Sequence, residues 1–179
     1  MQYDFGKAVG HGVSERTGSL NKPPQILLTA IAKLQADQIR IGKSRIPEYL
    51  SEMISTYPEM SAEFTYRGQE QDRLFDAASD NTCDTSKIVK RPTRDRHDPV
   101  IHYGLIASGN QVIKHGGTRD KLGQELGILC FEMEAAGLMD NFPCLVIRGI
   151  CDYADSHKNK QWQGYAAATA AAYSKSCSL

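Results

Sequence analysis

Two stretches in the first third of the chain carry apolar residues at helical spacing. The first begins at Pro23 and Pro24, because proline is tolerated in the first turn of a helix, and it continues to about Ile39. Ser44 is a candidate cap for a second helix, which we expect to end before Pro58 because proline cannot continue a helix. The pattern therefore predicts two helices in succession.

The segments around these helices are polar. Residues 2–5 are predicted as the end of a strand, and residues 6–21 as a loop, because glycine and serine are frequent there. Residues 61–98 are polar and aperiodic, and the runs TCDTSK and RPTRDRHDP offer no face that could be buried. We expect a long, flexible surface loop over residues 61–98.

From residue 100 onward, apolar runs of strand length alternate with helical patterns. Strands are predicted at residues 100–107, 128–131 and 144–150, and helices at residues 118–126, 134–140 and 161–176. This alternation is typical of βαβ units around a largely parallel sheet, which places the chain in the α/β class. Ligands of such sheets bind at the carboxyl ends of the strands, so the residues after each strand are the candidates for chemistry.

Composition and charge indicate one domain with a small partner. The 179 residues can bury one sizeable core, and the 21 basic and 21 acidic residues cancel, which argues against nucleic acid or a membrane surface. No apolar run approaches the roughly 20 residues of a membrane-spanning helix, and the N-terminus lacks the pattern of a signal peptide. The five cysteines have no CxxC spacing, so we expect free thiols in the cytoplasm.

Two carboxylates that follow predicted strands can carry different chemistry. Glu134 opens a helix, and a carboxylate bonded to neutral donors stays ionised and can hold hydroxyl groups. Asp152 follows an apolar run, with Asp155 nearby, and a carboxyl group in such surroundings can act as a general acid near neutral pH. Purely structural roles stay open: Glu132 and Glu134 as carboxylates at a helix N-terminus, and Asp152 and Asp155 as turn residues.

Three segments are similar, in order and spacing, to motifs of the nucleoside phosphorylase superfamily. GLIASGNQVI at residues 104–113 resembles GLIxSG, CFEMEAAGLM at 130–139 resembles VEMEAxAI, and VIRGICDYAD at 146–155 resembles VRxISDxAD. Among well-known enzymes the nearest pattern is that of the bacterial methylthioadenosine/S-adenosylhomocysteine nucleosidases. The chain most resembles the nucleoside-phosphorylase-like domain of fungal proteins, which often precedes NACHT or ankyrin-repeat regions.

This resemblance implies a role for each matching residue. Asp152 is expected to protonate purine N7 as the glycosidic bond breaks, and Glu134 to accept hydrogen bonds from the ribose 2′- and 3′-hydroxyls. The other residues expected at the substrate are Met133 beneath the sugar, Val112 and Ile113 at the base, and Ser108. Supporting positions fall to Arg148, Asp155 and Cys151, and we do not expect Cys151 to be a nucleophile.

Two positions depart from the bacterial pattern. Val112 stands where that pattern has an aromatic residue, so base stacking is expected to be weaker, and Cys151 stands where it has a serine. The family's first strands, whose glycine-rich turns bind phosphate or hold the catalytic water, have no counterpart before Gln2. We therefore expect one partial, N-terminally incomplete domain over residues 1–179.

For the complete domain, the resemblance implies a three-layer α/β/α fold with a mixed, largely parallel central sheet. The family activity is phosphorolysis or hydrolysis of purine nucleosides, which uses no metal or organic cofactor and takes inorganic phosphate as co-substrate in the phosphorylases. The alternative is a non-catalytic module that senses nucleosides or mediates interactions in a NACHT- or ankyrin-type protein. Relatives usually oligomerise, so a homo-oligomer is expected by analogy.

Overall fold

The computed structural model describes residues 1–8, 14–16, 20–79 and 84–177. A short antiparallel pair near the N-terminus consists of β1 (Gly6–Ala8) and β2 (Ser14–Arg16). Both strands lie inside the stretch predicted as a loop, of which residues 9–13 and 17–19 lie outside the described part of the chain.

The two predicted N-terminal helices are confirmed. α1 spans Gln25–Ile41 and ends at Gly42, whose left-handed backbone (φ 74°) suits glycine and lets its amide donate to the last turn of the helix. α2 spans Ile46–Thr56 and is followed by a 3-10 turn at Pro58–Met60. The Ser44 hydroxyl accepts a hydrogen bond from the Ile46 amide at 3.2 Å, but the N-cap position belongs to Arg45, so the prediction of Ser44 as the cap is wrong by one residue.

The core forms where α2 meets the last helix, α6 (Gln163–Ser176), which lies close to its predicted bounds. Ile46 is 1% exposed and packs against Ala172 and Tyr173. One fully buried isoleucine of this kind contributes roughly 1.5–3 kcal/mol. Partly buried apolar side chains surround the cluster, namely Ile31, Leu34, Tyr49, Leu50, Ile101, Ile147 and Cys177. In the described ranges, no helix is long and apolar enough to cross a membrane.

The segment predicted as a surface loop, residues 61–98, contains short elements. They are α3 (Ser61–Phe64), 3-10 turns at Gln69–Gln71 and Thr85–Lys87, and a bridge between Phe75 and Ile88. The Tyr66 ring meets the rings of Trp162 and Tyr165 edge-on, at centroid distances of 5.4 and 5.8 Å, so the segment packs against the start of α6. Residues 80–83, with Cys83, lie outside the described residues.

One crossover unit carries two parallel strands. β3 (Leu105–Ser108) leads through α4 (Gly116–Leu126) to β4 (Ile128–Glu132), and the last residues of the two strands, Ser108 and Glu132, lie opposite each other. Two parallel strands joined through a helix form a βαβ unit. The mixed α/β class is therefore confirmed.

The first residues of the chain occupy the other edge of β3. Gln2 forms a parallel bridge with Ser108, whose amide donates to the Met1 carbonyl at 2.7 Å and whose carbonyl accepts from the Tyr3 amide at 3.0 Å. The extended start predicted for residues 2–5 thus pairs with β3. As a consequence, β3 has hydrogen-bonded neighbours on both edges.

The strand predicted at residues 144–150 is wrong. Residues 144–150 have no ladder partner within the described chain, although β4 is paired there along one edge only. Their apolar character has another cause: Ile147 packs against the core, and Gly149 lies so close to Ala166 of α6 that a Cβ there would overlap its carbonyl. An apolar run alone does not distinguish a buried strand from such a segment.

Two other elements are shorter than predicted. The strand expected at residues 100–107 is reduced to β3, because its partner begins only at Ile128, opposite Leu105. The helix expected at residues 134–140 is reduced to the single turn of α5 (Ala135–Leu138). Gly137 lies inside α5, and glycine weakens a helix interior.

Candidate functional site

The two parallel strands end on buried polar side chains, Ser108 and Glu132. Glu132 Oε2 accepts hydrogen bonds from the Glu134 and Ala135 amides, both at 2.9 Å, and Ser108 Oγ accepts one from the Ala136 amide at 2.8 Å. These donors belong to the first turn of α5, where amides have no partner within the helix. The structural role considered for Glu132, a carboxylate at a helix N-terminus, is confirmed, and it fixes the backbone of Glu134.

The second oxygen of Glu132, Oε1, is buried and has no hydrogen-bond partner among the described residues. Buried polar atoms are normally hydrogen-bonded, and leaving one unpaired costs roughly 1–3 kcal/mol. Glu132 therefore keeps unused acceptor capacity at the end of β4, directly beside the chain that leads to Glu134.

Glu134 extends its side chain from this fixed backbone towards solvent. The side chain is 61% exposed, and Oε2 accepts hydrogen bonds from the Met133 amide at 3.1 Å and from Arg148 Nη1 at 3.0 Å. The hydrogen bond from the Met133 amide and the positive charge of Arg148 hold the pKa of Glu134 below its usual value. Glu134 is thus an ionised acceptor at neutral pH, and Arg148 supports it directly.

Asp152 lies in the turn that follows residues 144–150. Its Oδ1 accepts a hydrogen bond from the Ala154 amide at 2.8 Å and lies 3.3 Å from Lys158 Nζ, and the Cys151 thiol donates to Oδ2 at 3.7 Å. The hydrogen bond from the Ala154 amide is of the Asx type, so the structural role considered for Asp152, that of a turn residue, is confirmed. Ala154 has φ 52°, a left-handed conformation that is unfavourable for alanine.

The thiols near this turn are protonated at neutral pH. Burial, followed by the neighbouring Asp152 carboxylate, raises the pKa of Cys151, and burial likewise raises the pKa of Cys130 on β4. A protonated thiol is a weak nucleophile, which agrees with a supporting position for Cys151. The positive charge of Arg148 lowers the pKa of both thiols, although burial outweighs it. Arg148 therefore acts electrostatically on Cys151, next to Asp152, as well as on Glu134.

Asp155 is 5% exposed and is held by its surroundings. Its Oδ1 accepts a hydrogen bond from the His157 amide at 2.8 Å, and its Oδ2 lies 3.6 Å from Arg119 Nη1. The same Arg119 nitrogen donates to the Tyr153 carbonyl at 2.9 Å. Asp155 thus links the turn to α4, and its contacts are those of a structural residue.

The contacts of Tyr153, which directly follows Asp152, were not predicted from the sequence. The Tyr153 hydroxyl donates to Asp72 Oδ1 and accepts from Arg91 Nη1, both at 2.5 Å, and Arg91 Nη2 lies 3.1 Å from Asp72 Oδ1. Burial, followed by the hydrogen bond to Asp72, raises the pKa of Tyr153 to about 12. Asp72 and Arg91 belong to residues 61–98, where nothing in the pattern distinguishes them from solvated charges.

The apolar residues expected at the substrate differ in exposure. Val112 is 52% exposed and Met133 is 43% exposed, so both side chains can meet a ligand, whereas Ile113 is buried and its side chain belongs to the interior. In the described ranges, no group of three or more His, Cys, Asp or Glu side chains is arranged to hold a metal ion.

Comparison with known proteins relates the chain to one relative. No protein-family model and no solved structure matches the chain. A protein of Hyaloscypha variabilis described as a nucleotide-binding leucine-rich repeat (NLR)-like protein is 48% identical over 178 residues. The match covers 98% of this chain and 18% of the relative, so the chain is similar to one part of a much longer fungal NLR-like protein. The resemblance to nucleoside phosphorylases stays a prediction.

Proposed function

We propose that the chain is a nucleoside phosphorylase-like domain that binds the ribose of a purine nucleoside at the carboxyl ends of β3 and β4. The arrangement of Glu134 carries the proposal: Glu132 fixes its backbone, Met133 and Arg148 anchor one carboxylate oxygen, and the side chain faces solvent. An ionised carboxylate oriented in this way is suited to accept hydrogen bonds from the 2′- and 3′-hydroxyls of a ribose.

Asp152 is the proposed partner of the purine. Its side chain is 20% exposed, and Oδ2 has only a long contact with the Cys151 thiol among the described residues, so this oxygen is available to purine N7. In its protonated form, Asp152 would give its proton to N7 and so neutralise the charge that develops on the base as the glycosidic bond breaks. The carboxylate that remains would be stabilised by the Ala154 amide and by Lys158, and it would regain a proton from solvent before the next cycle. The exposed side chains of Val112 and Met133 supply apolar surface for the base and the sugar.

The proposal extends to the architecture of the domain. The β3–α4–β4 unit supports a three-layer α/β/α fold with the ribose and base site at the carboxyl ends of its strands. Phosphorolysis would take inorganic phosphate as co-substrate, and hydrolysis would take water.

A second candidate function is a non-catalytic module that senses purine nucleosides or mediates interactions within a fungal NLR-type protein. The similarity to part of an NLR-like protein favours it. Such a module would use Glu134 in the same way but would not need proton donation by Asp152. Both candidate functions therefore require binding of a nucleoside, but only the first requires cleavage of the glycosidic bond.

Incubation of the purified chain with adenosine, inosine and methylthioadenosine, with and without phosphate, tests turnover through the release of free base. Dependence on phosphate identifies a phosphorylase, and release without phosphate identifies a nucleosidase. Asp152→Asn is expected to abolish release while leaving ribose binding intact, and Asp95→Asn, at an exposed position, serves as the control.

Calorimetry with the same nucleosides separates the remaining outcomes. Binding without release of base favours the sensing module. Absence of binding to all three nucleosides contradicts the proposed function.

A further inference from the structure

The turn that carries Asp152 is held from two sides. On one side, Asp72 and Arg91 both hydrogen-bond to the Tyr153 hydroxyl at 2.5 Å, and Arg91 also donates to the Asp72 carbonyl at 2.6 Å. On the other side, Arg119 of α4 donates to the Tyr153 carbonyl at 2.9 Å. Tyr153 directly follows Asp152, so both sets of contacts act on the residue next to the proposed proton donor.

A further contact ties the end of the same turn to residues 61–98. The Phe75 ring stacks on the His157 ring with a centroid distance of 3.8 Å and an interplanar angle of 8°. Phe75 lies three residues after Asp72, so one short stretch of chain contacts the turn on both flanks of Asp155. Residues 72–75 therefore pack against the turn and the residues that follow it.

The backbone inside this turn is strained. Ala154 adopts φ 52°, and the Asp152 carboxylate accepts the hydrogen bond from the Ala154 amide. A left-handed alanine persists only where its surroundings hold it, and such residues occur preferentially at functional sites. The contacts of Tyr153 supply that restraint, because charged groups strengthen the hydrogen bonds they make.

We propose that Asp72, Arg91 and Arg119 are positioning residues for Asp152 and that they act through Tyr153. They hold the turn of residues 152–155 in its strained conformation and so orient the Asp152 carboxyl group towards the purine. This inference rests on the proposed function of the site. It assigns to residues 61–98, which the sequence predicts as a surface loop, a direct part in shaping the site.

Hydrogen exchange on the full chain tests the restraint without any ligand. Tyr153→Phe removes the hydroxyl that Asp72 and Arg91 share, so amides of residues 152–157 should exchange about tenfold faster, while amides of β4 keep their rates. Arg91→Met should give the same local change. Tyr57→Phe, at a tyrosine that is 53% exposed at the end of α2, is the matched control and should change neither region.

Turnover of a nucleoside tests the consequence for Asp152. In Tyr153→Phe, kcat should fall about tenfold with KM unchanged, because ribose binding depends on Glu134. A merely structural role would instead lower the active fraction and accelerate exchange throughout the chain. Unchanged exchange at residues 152–157 in both variants overturns the proposal. If the unmodified chain neither binds nor cleaves nucleosides, the proposed function fails, while the exchange rates still decide whether these residues restrain the turn.

Discussion

Arg148 Nη1 lies 3.0 Å from Glu134 Oε2, and this ion pair joins the end of the βαβ unit to the segment that leads into the Asp152 turn. Both side chains are exposed, at 41% and 61%, so the pair contributes only about 0–1 kcal/mol to folding. Its effect is to orient the carboxylate.

Glu134→Gln should weaken adenosine binding by roughly 10- to 100-fold, because a hydrogen bond to a charged acceptor contributes about 1.5–3 kcal/mol. The affinity for 2′,3′-dideoxyadenosine, which lacks both hydroxyls, should change little. Calorimetry with the two ligands measures the difference, and Glu125→Gln, at an exposed position on α4, is the control. An equal loss for both ligands would contradict ribose recognition by Glu134.

Glu132→Ala should lower the free energy of unfolding by roughly 1–3 kcal/mol, because the Glu134 and Ala135 amides lose their common acceptor. Glu132→Gln keeps a carbonyl oxygen for these amides and should cost less. Urea denaturation of both variants measures the effect. Equal stability of Glu132→Ala and the unmodified chain would show that these hydrogen bonds do not hold α5.

Gly149→Ala should destabilise the chain by roughly 1–3 kcal/mol, because the added methyl group overlaps the Ala166 carbonyl and forces residues 144–150 away from α6. Gly123→Ala is the matched control: a Cβ there meets nothing within 4 Å, and alanine favours the helix interior by roughly 0.5–1 kcal/mol. The midpoint of thermal unfolding should therefore fall in Gly149→Ala and rise in Gly123→Ala. A neutral Gly149→Ala would indicate that residues 144–150 do not pack as described.

Raising the pH from about 10 to about 12 should destabilise the chain through Tyr153. The pKa of Tyr153 is raised from 10.0 to about 12, so in this window the unfolded chain loses the phenol proton while the folded chain keeps it. Stability that is fully present below pH 10 is therefore lost as the pH rises. Unfolding in urea at several pH values should show a smaller loss for Tyr153→Phe than for the unmodified chain.

The local sequence pattern predicted some residues of the candidate site but not the long-range contacts that position them. The positions of Glu134 and Asp152 after apolar runs marked them as candidates, and the structure places Arg148 directly on Glu134. The hydrogen bond between the Tyr153 hydroxyl and Asp72 was not predictable, because Asp72 lies 81 residues away in the sequence. A charged residue in a polar stretch looks the same whether it faces solvent or pairs with a distant side chain.

The sequence by itself determined α1, α2, α4 and α6, because apolar spacing, prolines and the glycines that follow α1 and α4 act within a few residues of the helices they define. Only the tertiary structure decided that residues 144–150 are not a strand. Among the described residues these seven pair with no strand, and their position is set by tertiary packing, of Ile147 against the core and of Gly149 against Ala166 of α6. The same holds for the Asp152 turn, whose conformation depends on side chains brought from distant parts of the chain.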